Sequence, residues 1–258
     1  LDISLDVIAA VLAAPELSGW HGFGVVVQAF SKRAPWVLDW LYELARSLDR
    51  KIMVRLVKGA YWDAEIKRAQ VIGLTDFPVF TRKANTDVSY LACAKKMLAM
   101  NDLIYAQFAT HNAHSVAAIL QLAGDKHAYE FQRLHGMGES LHASVMAQGG
   151  IRCRVYAPVG AHQDLLAYLV RRLLENGANS SFVHQLVNPE IAPETIAQDP
   201  INVVLERLEQ GLSCRSHAIV QPQDLFAQNL ASHRKNAKGW DITDAPTIAL
   251  MQSAREHL

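Results

Sequence analysis

The chain has 258 residues, in which 25 Lys and Arg residues balance 25 Asp and Glu residues. Half of the residues are hydrophobic and 19% are charged, which excludes an intrinsically disordered chain because disorder requires low hydrophobicity and a high net charge. The zero net charge argues against nucleic-acid binding, which needs a clustered excess of basic residues. The length suffices for one large domain, or for one domain with an appended segment.

The cysteines and the first residues indicate the setting of the chain. Cys93, Cys153 and Cys214 are too few and too widely spaced for a disulfide framework or a paired metal motif, so we expect a reducing, intracellular environment. No signal peptide is visible, and no apolar run reaches the roughly 18 residues that span a bilayer. Because the chain starts at Leu1 without a Met and opens directly in a helical pattern, we expect it to be part of a longer protein.

The hydrophobic pattern predicts alternating strands and helices. Short, nearly continuous apolar runs favour strands that are buried on both faces, as in parallel sheets. In chain order we predict a helix at 1–12, a strand at 23–29, a helix at 35–46, a strand at 52–57, a helix at 88–100, a strand at 103–109, a helix at 115–123, strands at 129–134 and 153–157, and a helix at 163–176. The gap between residues 55 and 103 leaves room for an extra helix or a lid over the strand ends.

This alternation predicts an α/β fold, either an open doubly wound sheet or a (β/α)₈ barrel. About five strands are predicted and a closed barrel needs eight, so the pattern leaves both architectures open. After Phe182 the strand rhythm stops, and we predict two short helices, one starting at Asp199 and Pro200 with a cap followed by proline. We place a boundary near His184, with the α/β unit at 1–184 and a connector at 185–258.

Polar residues lie where the predicted strands end, and the carboxyl ends of strands are where ligands bind in α/β folds. These residues are Gln28, Arg55, the run Thr110, His111 and Asn112, and further along Gln132 and Tyr156. Arg55 lies inside a buried strand, which is costly unless the guanidinium meets an anion or several acceptors. The alternative is an Arg55 that pairs with a carboxylate of the core.

The predicted helix at 163–176 carries Tyr168, Arg171, Arg172 and Glu175 on one side, since these positions are three or four residues apart. Two adjacent arginines near a tyrosine form a good carboxylate clamp, because guanidinium groups bind carboxylates with two parallel hydrogen bonds. A solvated charged face, with one arginine paired to Glu175, explains the same pattern equally well.

Two further signals are weak. Lys58 follows a strand, so a Schiff-base lyase is an alternative function, and the neighbouring Arg55 would lower the pKa of its ammonium group. His111 and His114 are spaced to ligate a metal, but no nearby carboxylate or cysteine completes a ligand set, and we predict no metal site.

Longer motifs resemble one family. They begin with Arg-Leu-Val-Lys-Gly-Ala-Tyr-Trp at 55–62 and Thr-Asp-Val-Ser-Tyr-Leu-Ala-Cys-Ala-Lys-Lys at 86–96, and continue with Gln-Phe-Ala-Thr-His-Asn-Ala-His at 107–114, Leu-His-Gly-Met-Gly-Glu at 134–139 and Tyr-Leu-Val-Arg-Arg-Leu-Leu-Glu-Asn-Gly-Ala-Asn at 168–179. This order of motifs is similar to the proline dehydrogenase domain of the bacterial bifunctional proline utilization A proteins. The resemblance covers residues 1 to about 184.

The resemblance implies a distorted (β/α)₈ barrel, of which this chain carries about the last five βα units. It also implies non-covalent FAD at the strand ends and oxidation of L-proline to Δ1-pyrroline-5-carboxylate, with electrons passed to a quinone. In that family, earlier strands carry a lysine for the substrate carboxylate and an aspartate near its amine, and we expect both to precede Leu1. The rival from another class is a catalytically inactive interaction module.

The resemblance also implies roles for individual residues. Substrate and catalysis would involve Arg55, Tyr61, Leu134, Tyr156, Tyr168, Arg171 and Arg172. The cofactor would be held by Gln28, Arg55, Val57, Gly59, Trp62, Thr81, Lys83, Thr110, His111, Asn112, Gln132, Glu175, Ser181 and Phe182.

The wider expectations concern partners and location. Residues 185–258 resemble the connection to an aldehyde dehydrogenase domain that uses NAD and lies in the same polypeptide. A quinone acceptor implies a cytoplasmic bacterial protein with peripheral contact to the inner membrane. We expect no nucleic-acid partner for this segment, and a homo-oligomer stays open.

Overall fold

Five parallel strands form one sheet, in which the spatial order of the strands is their order in the chain. The computed structural model describes residues 1–125, 128–177, 188–227 and 234–256. The strands are β1 (Gly24–Gln28), β2 (Ile52–Val57), β3 (Ile104–Ala109), β4 (Tyr129–Leu134) and β5 (Arg152–Tyr156). Each strand was predicted, and each observed end lies within one residue of the predicted end.

Helices connect the strands and continue after them. They are α1 (Asp2–Leu12), α2 (Ala34–Ser47), α3 (Trp62–Ile72), α4 (Lys83–Ala99), α5 (Ala113–Ala123), α6 (Glu139–Ala147), α7 (His162–Gly177), α8 (Pro193–Ile196), α9 (Pro200–Glu209) and α10 (Ala245–Glu256). The helix expected between residues 55 and 103 is α3. Helix α6 was not predicted, and the region after residue 187 contains three described helices instead of two.

One face of the sheet is apolar and packs against the helices. In β2, Ile52, Val54 and Leu56 are buried, while the intervening residues are only partly buried. Helix α2 contributes Leu38 and Leu41 to the same core, which contains aromatic residues of β3 and β4 as well. Because successive strand residues point to opposite faces, the second face receives the alternate set, which includes Arg55.

The C-terminal segment packs against α3. The side-chain amide of Gln70 donates to the carbonyl of Val220 (2.8 Å), and Asn236 donates to the carbonyl of Gln70 (2.9 Å). At the end of α3, Gly73 has a φ of +65° and lies so close to the chain that a Cβ there would be 1.8 Å from the carbonyl oxygen of Ala237. Glycine at this position allows the close approach.

None of the described helices is both long enough and apolar enough to cross a membrane.

Phe108 provides a test of the core. Its ring is fully buried between Tyr129 and Phe131, with ring centroids 5.6 Å and 6.4 Å away. Replacing it, as in Phe108→Ala, should lower the free energy of unfolding by about 3–5 kcal/mol, because the cavity forfeits both burial and contacts. Urea denaturation measures the change. The matched control is Trp36→Ala, whose aromatic ring is 68% exposed and should change the value by only about 0.5 kcal/mol. Equal effects of the two variants would contradict this core.

Candidate active site

A buried carboxylate organises the second face of the sheet. Glu130 of β4 is 4% exposed and accepts two hydrogen bonds from Arg154, at 2.6 Å to Oε1 and 3.1 Å to Oε2. Gln107 donates to Oε1 (2.6 Å), and the hydroxyl of Tyr105 donates to Oε2 (3.2 Å). Both oxygens are therefore satisfied, and the charge is balanced by Arg154.

Arg55 lies on β2, two strands from β4, and has no such carboxylate among the described residues. Its Nη1 donates to Oε1 of Gln132 (2.9 Å), a neutral acceptor. Its Nε is buried, and within the described part of the chain it has neither a hydrogen-bond partner nor a carboxylate in an ion pair with the guanidinium. The alternative in which a core carboxylate pairs with Arg55 is therefore not seen in the described part of the chain. With respect to the described residues, the guanidinium therefore offers an unpaired donor in the second half of β2.

A row of aromatic and cationic side chains links Arg55 to α7. The Cζ of Arg55 lies 5.8 Å from the ring centroid of Tyr156, which is 6.3 Å from the ring of Tyr168. Arg172 lies over that second ring at 5.4 Å, and Arg171 lies over the ring of Tyr61 at 5.7 Å. The structure thus brings together residues of β2, β5 and α7 that the sequence analysis named separately.

Three of the named residues cannot be placed. Ser181 and Phe182 lie outside the described residues, and the side chain of Glu175 does as well. The two interpretations of α7, a carboxylate clamp and a charged face in which an arginine pairs with Glu175, therefore both remain predictions.

The turn after β3 is held by hydrogen bonds. The amide of Asn112 donates to Oγ1 of Thr110 (3.1 Å), and Oδ1 of Asn112 caps α5 by accepting from the amide of Ser115 (2.9 Å). Nε2 of His111 accepts from the amide of Leu134 (3.0 Å). Burial lowers the pKa of His111 to about 4, and the nearby side chain of His142 adds to the effect. His111 is therefore a neutral imidazole at neutral pH.

Lys58 belongs to a separate cluster. Its ammonium group lies 2.5 Å from Oδ1 of Asp87, whose Oδ2 accepts from Lys83 at 2.7 Å. Burial lowers the pKa of Lys58, and the positive charge of Lys83 lowers it further. The negative charge of Asp87 opposes this shift. Arg55 points to the other side of the strand, so the expected influence of Arg55 on Lys58 is not what the structure shows.

The remaining named residues surround the strand ends. Gln28 is opposite Val57 in the β1–β2 register, and both are partly buried, as is Leu134. The indole of Trp62 donates to the carbonyl of Phe80 (2.7 Å), and Oγ1 of Thr81 accepts from the amide of Ser216 (2.9 Å).

Gly59, two residues after the end of β2, must be a glycine because of its backbone conformation and its close contact with Phe30. It has a φ of +128°, and a Cβ there would lie 1.6 Å from the ring of Phe30. Only a residue without a side chain fits this close approach.

The two histidines whose spacing would suit a metal, and for which no metal site was predicted, make separate contacts. His111 contacts the end of β4, whereas His114 lines a cleft with Lys58 and Asp87. Across the described residues, no group of three or more His, Cys, Asp or Glu side chains could hold a metal ion.

Sequence reasoning missed Asp87, Glu130, Arg154 and His142. The spacing of Lys83 and Asp87, four residues apart in a helix, was an available signal for the first. For Glu130, the available signal was a glutamate two residues before Gln132, on the same face of a buried strand. Nothing in the local sequence distinguishes His142, since its partner is far away in the chain.

Comparison with known proteins agrees with the motifs. The family model for proline dehydrogenase matches residues 1–185. The chain therefore belongs to the proline dehydrogenase family, and the resemblance found in the motifs is confirmed.

The relatives are much longer than the chain. It is 51% identical to the Bifunctional protein PutA of Klebsiella aerogenes and to that of Escherichia coli strain K12, covering 98% of this chain and 20% of each relative. A solved structure of a proline utilization A variant from Bradyrhizobium japonicum superposes with a TM-score of 0.88 at 50% identity, covering 97% of this chain and 25% of that one. The predicted α/β fold class is confirmed, and the chain spans about a fifth of the length of these curated relatives.

The buried histidines predict how stability depends on pH. Burial lowers the pKa of both His111 and His142, so the unfolded chain takes up protons near pH 6.5 while the folded chain resists until a lower pH. The free energy of unfolding should therefore be fully maintained above about pH 6.5 and should fall as the pH drops towards 4. Urea denaturation at several pH values measures this slope.

In this series His111→Gln should reduce the slope, because a glutamine does not titrate. The matched control is His135→Gln, an exposed histidine of the turn after β4, which should leave the slope unchanged. Equal slopes for the wild type and His111→Gln would show that His111 contributes nothing to it.

Proposed function

We propose that the full-length protein oxidises L-proline to Δ1-pyrroline-5-carboxylate with FAD and passes the electrons to a quinone. Family membership supports the reaction class. The observation that carries the proposal is Arg55, which forms no ion pair with any described residue and is linked through Tyr156 and Tyr168 to Arg172 of α7.

The residues at the strand ends fit a flavin dinucleotide. The buried Nε of Arg55 lacks a partner, which is costly unless a ligand supplies an acceptor. The neutral donors of the β3–α5 turn and the ammonium group of Lys83 suit phosphate and ribose oxygens. We propose as FAD-binding residues Gln28, Arg55, Val57, Gly59, Trp62, Thr81, Lys83, Thr110, His111, Asn112, Gln132, Glu175, Ser181 and Phe182.

When bound, FAD supplies the acceptor for the hydride of the substrate. The contribution of Arg55 is electrostatic: a fixed positive charge at the strand end stabilises negative charge that develops nearby. The hydrogen bond to Gln132 holds the guanidinium in place, so little reorganisation is needed when that charge appears.

Arg171 and Arg172 are proposed to bind the carboxylate of proline. Each guanidinium already rests over a tyrosine ring, which limits its conformational freedom before the substrate binds. Tyr61, Tyr156 and Tyr168 would shape the pocket together with Leu134 and displace water from it. Fixing the carboxylate orients the ring of the substrate, which converts binding energy into reactive geometry.

The wider architecture is also a proposal. Residues 1–184 would form the later part of the barrel, and 185–258 would connect it to an aldehyde dehydrogenase domain that uses NAD. The name of the longer relatives, Bifunctional protein PutA, supports this arrangement. The quinone acceptor implies peripheral contact with the bacterial inner membrane, and self-association to a homo-oligomer is compatible with this arrangement.

The first test is spectroscopic. The purified full-length protein should show the absorbance of bound oxidised flavin, and anaerobic addition of L-proline should bleach it. D-proline is the matched control and should bleach it far more slowly, because the carboxylate would be misplaced. A colourless protein, or one whose flavin ignores L-proline, would overturn the proposal. Borohydride trapping of a carbonyl substrate on Lys58 would instead favour the lyase, whereas Lys58→Arg should abolish such an adduct.

The second test separates the arginines. Arg171→Met and Arg172→Met should each raise the KM for proline about 10–100-fold, since each removes a charge-assisted hydrogen bond worth about 1.5–3 kcal/mol. Arg55→Met should instead weaken FAD binding or slow flavin reduction. Steady-state and rapid-reaction kinetics distinguish the two effects.

The control for this series is Arg46→Met, on the exposed face of α2, which should leave every parameter unchanged. If both α7 variants kept the wild-type KM, the carboxylate assignment would be wrong.

A further inference from the structure

His142 of α6 is fully buried and makes one specific hydrogen bond. Its Nε2 lies 2.9 Å from the carbonyl oxygen of Thr110. A carbonyl oxygen only accepts, so Nε2 carries the proton and the ring is assigned as the Nε2–H tautomer. Its Nδ1 is buried without a hydrogen-bond partner in the described structure. Burying an imidazole removes its hydrogen bonds to water, and here a single hydrogen bond to the protein compensates for that loss.

The bond of His142 fixes the turn that the proposed cofactor site uses. Thr110 is the first residue of that turn, and its hydroxyl and the side chain of Asn112 already order the residues that follow. The carbonyl oxygen of Thr110 accepts the hydrogen bond from His142 of α6. The turn is therefore tied on both sides, to α5 and to α6.

His111, within the same turn, has the opposite tautomer. Its Nε2 accepts from the amide of Leu134, so Nδ1 carries the proton. No described residue accepts a hydrogen bond from that Nδ1. Gly138 separates the two rings: it has a φ of +62°, and a Cβ there would lie 3.2 Å from Cδ2 of His111 and 3.4 Å from Cδ2 of His142. The two imidazoles are thus packed around a residue that has no side chain.

We propose that His142 is a positioning residue, which holds the carbonyl of Thr110 so that His111 offers its Nδ1–H as a neutral donor to an acceptor atom of the bound dinucleotide. The inference rests on the proposed function for the identity of the ligand. His142 itself contacts no ligand and acts only through the turn.

Three substitutions separate the hydrogen bond from the volume of the ring. His142→Gln places an amide N–H near the position of Nε2 and should keep the bond. His142→Asn is one methylene shorter and cannot reach Thr110, and His142→Phe keeps the ring but lacks the donor. The matched control is His135→Phe, since His135 is exposed in the turn after β4 and its side chain takes no part in the network.

Two measurements are made on the full-length protein. Hydrogen exchange of the apoprotein, followed by mass spectrometry, reports opening of the peptide that contains residues 110–116 and needs no flavin. FAD titration of the apoprotein gives the dissociation constant. We expect His142→Phe and His142→Asn to accelerate exchange in that peptide at least fivefold and to weaken FAD binding about tenfold, which corresponds to the loss of one hydrogen bond. His142→Gln and His135→Phe should stay within threefold of the wild type in both.

The outcomes separate this inference from the proposed function. Wild-type protein that binds no FAD would overturn the proposed function, whereas the exchange data would still test the tie between His142 and the turn. Exchange and FAD affinity unchanged in His142→Asn would overturn the inference. Should His142→Phe fail to fold, the comparison of Gln with Asn decides alone, and equal losses in those two variants would show that the hydrogen bond is not what positions the turn.

Discussion

The carboxylate of Glu130 is the constraint on which the candidate site depends. A buried charge is tolerated only when it is paired and its oxygens are satisfied, and here Arg154, Gln107 and Tyr105 do both. Because these partners occupy that carboxylate, none of its capacity is left for Arg55. The polar face of the sheet is thereby divided into a neutralised part around Glu130 and a cationic part at the carboxyl end of β2.

The parallel register of the strands determines which of these polar side chains lie next to one another. Arg55 is opposite Gln107, and Gln107 is opposite Glu130, so these three residues lie at one level across β2, β3 and β4. Arg154 of β5 is opposite Gln132, two residues nearer the strand ends, and reaches back to Glu130. Gln132 follows Glu130 by two residues on the same face, one level nearer the strand ends, and supplies the acceptor for Arg55. The apolar face of the sheet is packed against helices from β1 to β4, which gives these side chains a rigid platform.

The sequence alone could predict those parts of the fold that follow from local patterns. Continuous apolar runs located all five strands. The expectation that these strands are buried on both faces was wrong, since β2 alternates between buried and partly buried residues and β5 is largely exposed. The start of α4 was placed at Val88 instead of Lys83, since its first turn is polar and adds nothing to the apolar stripe. Helix α6 was missed for a similar reason: it buries only His142 and Val145, too few for a visible period.

The pairings of the site could not be predicted in this way. Arg55 and Gln132 are 77 residues apart, and the choice of an amide over a carboxylate depends on what else Glu130 contacts. The partners of Lys58 were likewise unpredictable, because strand alternation turns it away from Arg55 and towards α4. The sequence could predict which polar residues lie at the strand ends. Identifying which of their charges are neutralised by a partner required the three-dimensional structure.

That division has a chemical consequence at the strand ends. Arg55, Arg171 and Arg172 bring cationic guanidinium groups to the strand ends, each with several hydrogen-bond donors in a planar arrangement. His111, with its pKa lowered to about 4 by burial, contributes a directional donor without any charge. The positive field therefore comes from the arginines, while the neutral turn supplies directional hydrogen bonds. Ligands that present an anionic group to the arginines and neutral acceptors to the turn match both parts at once.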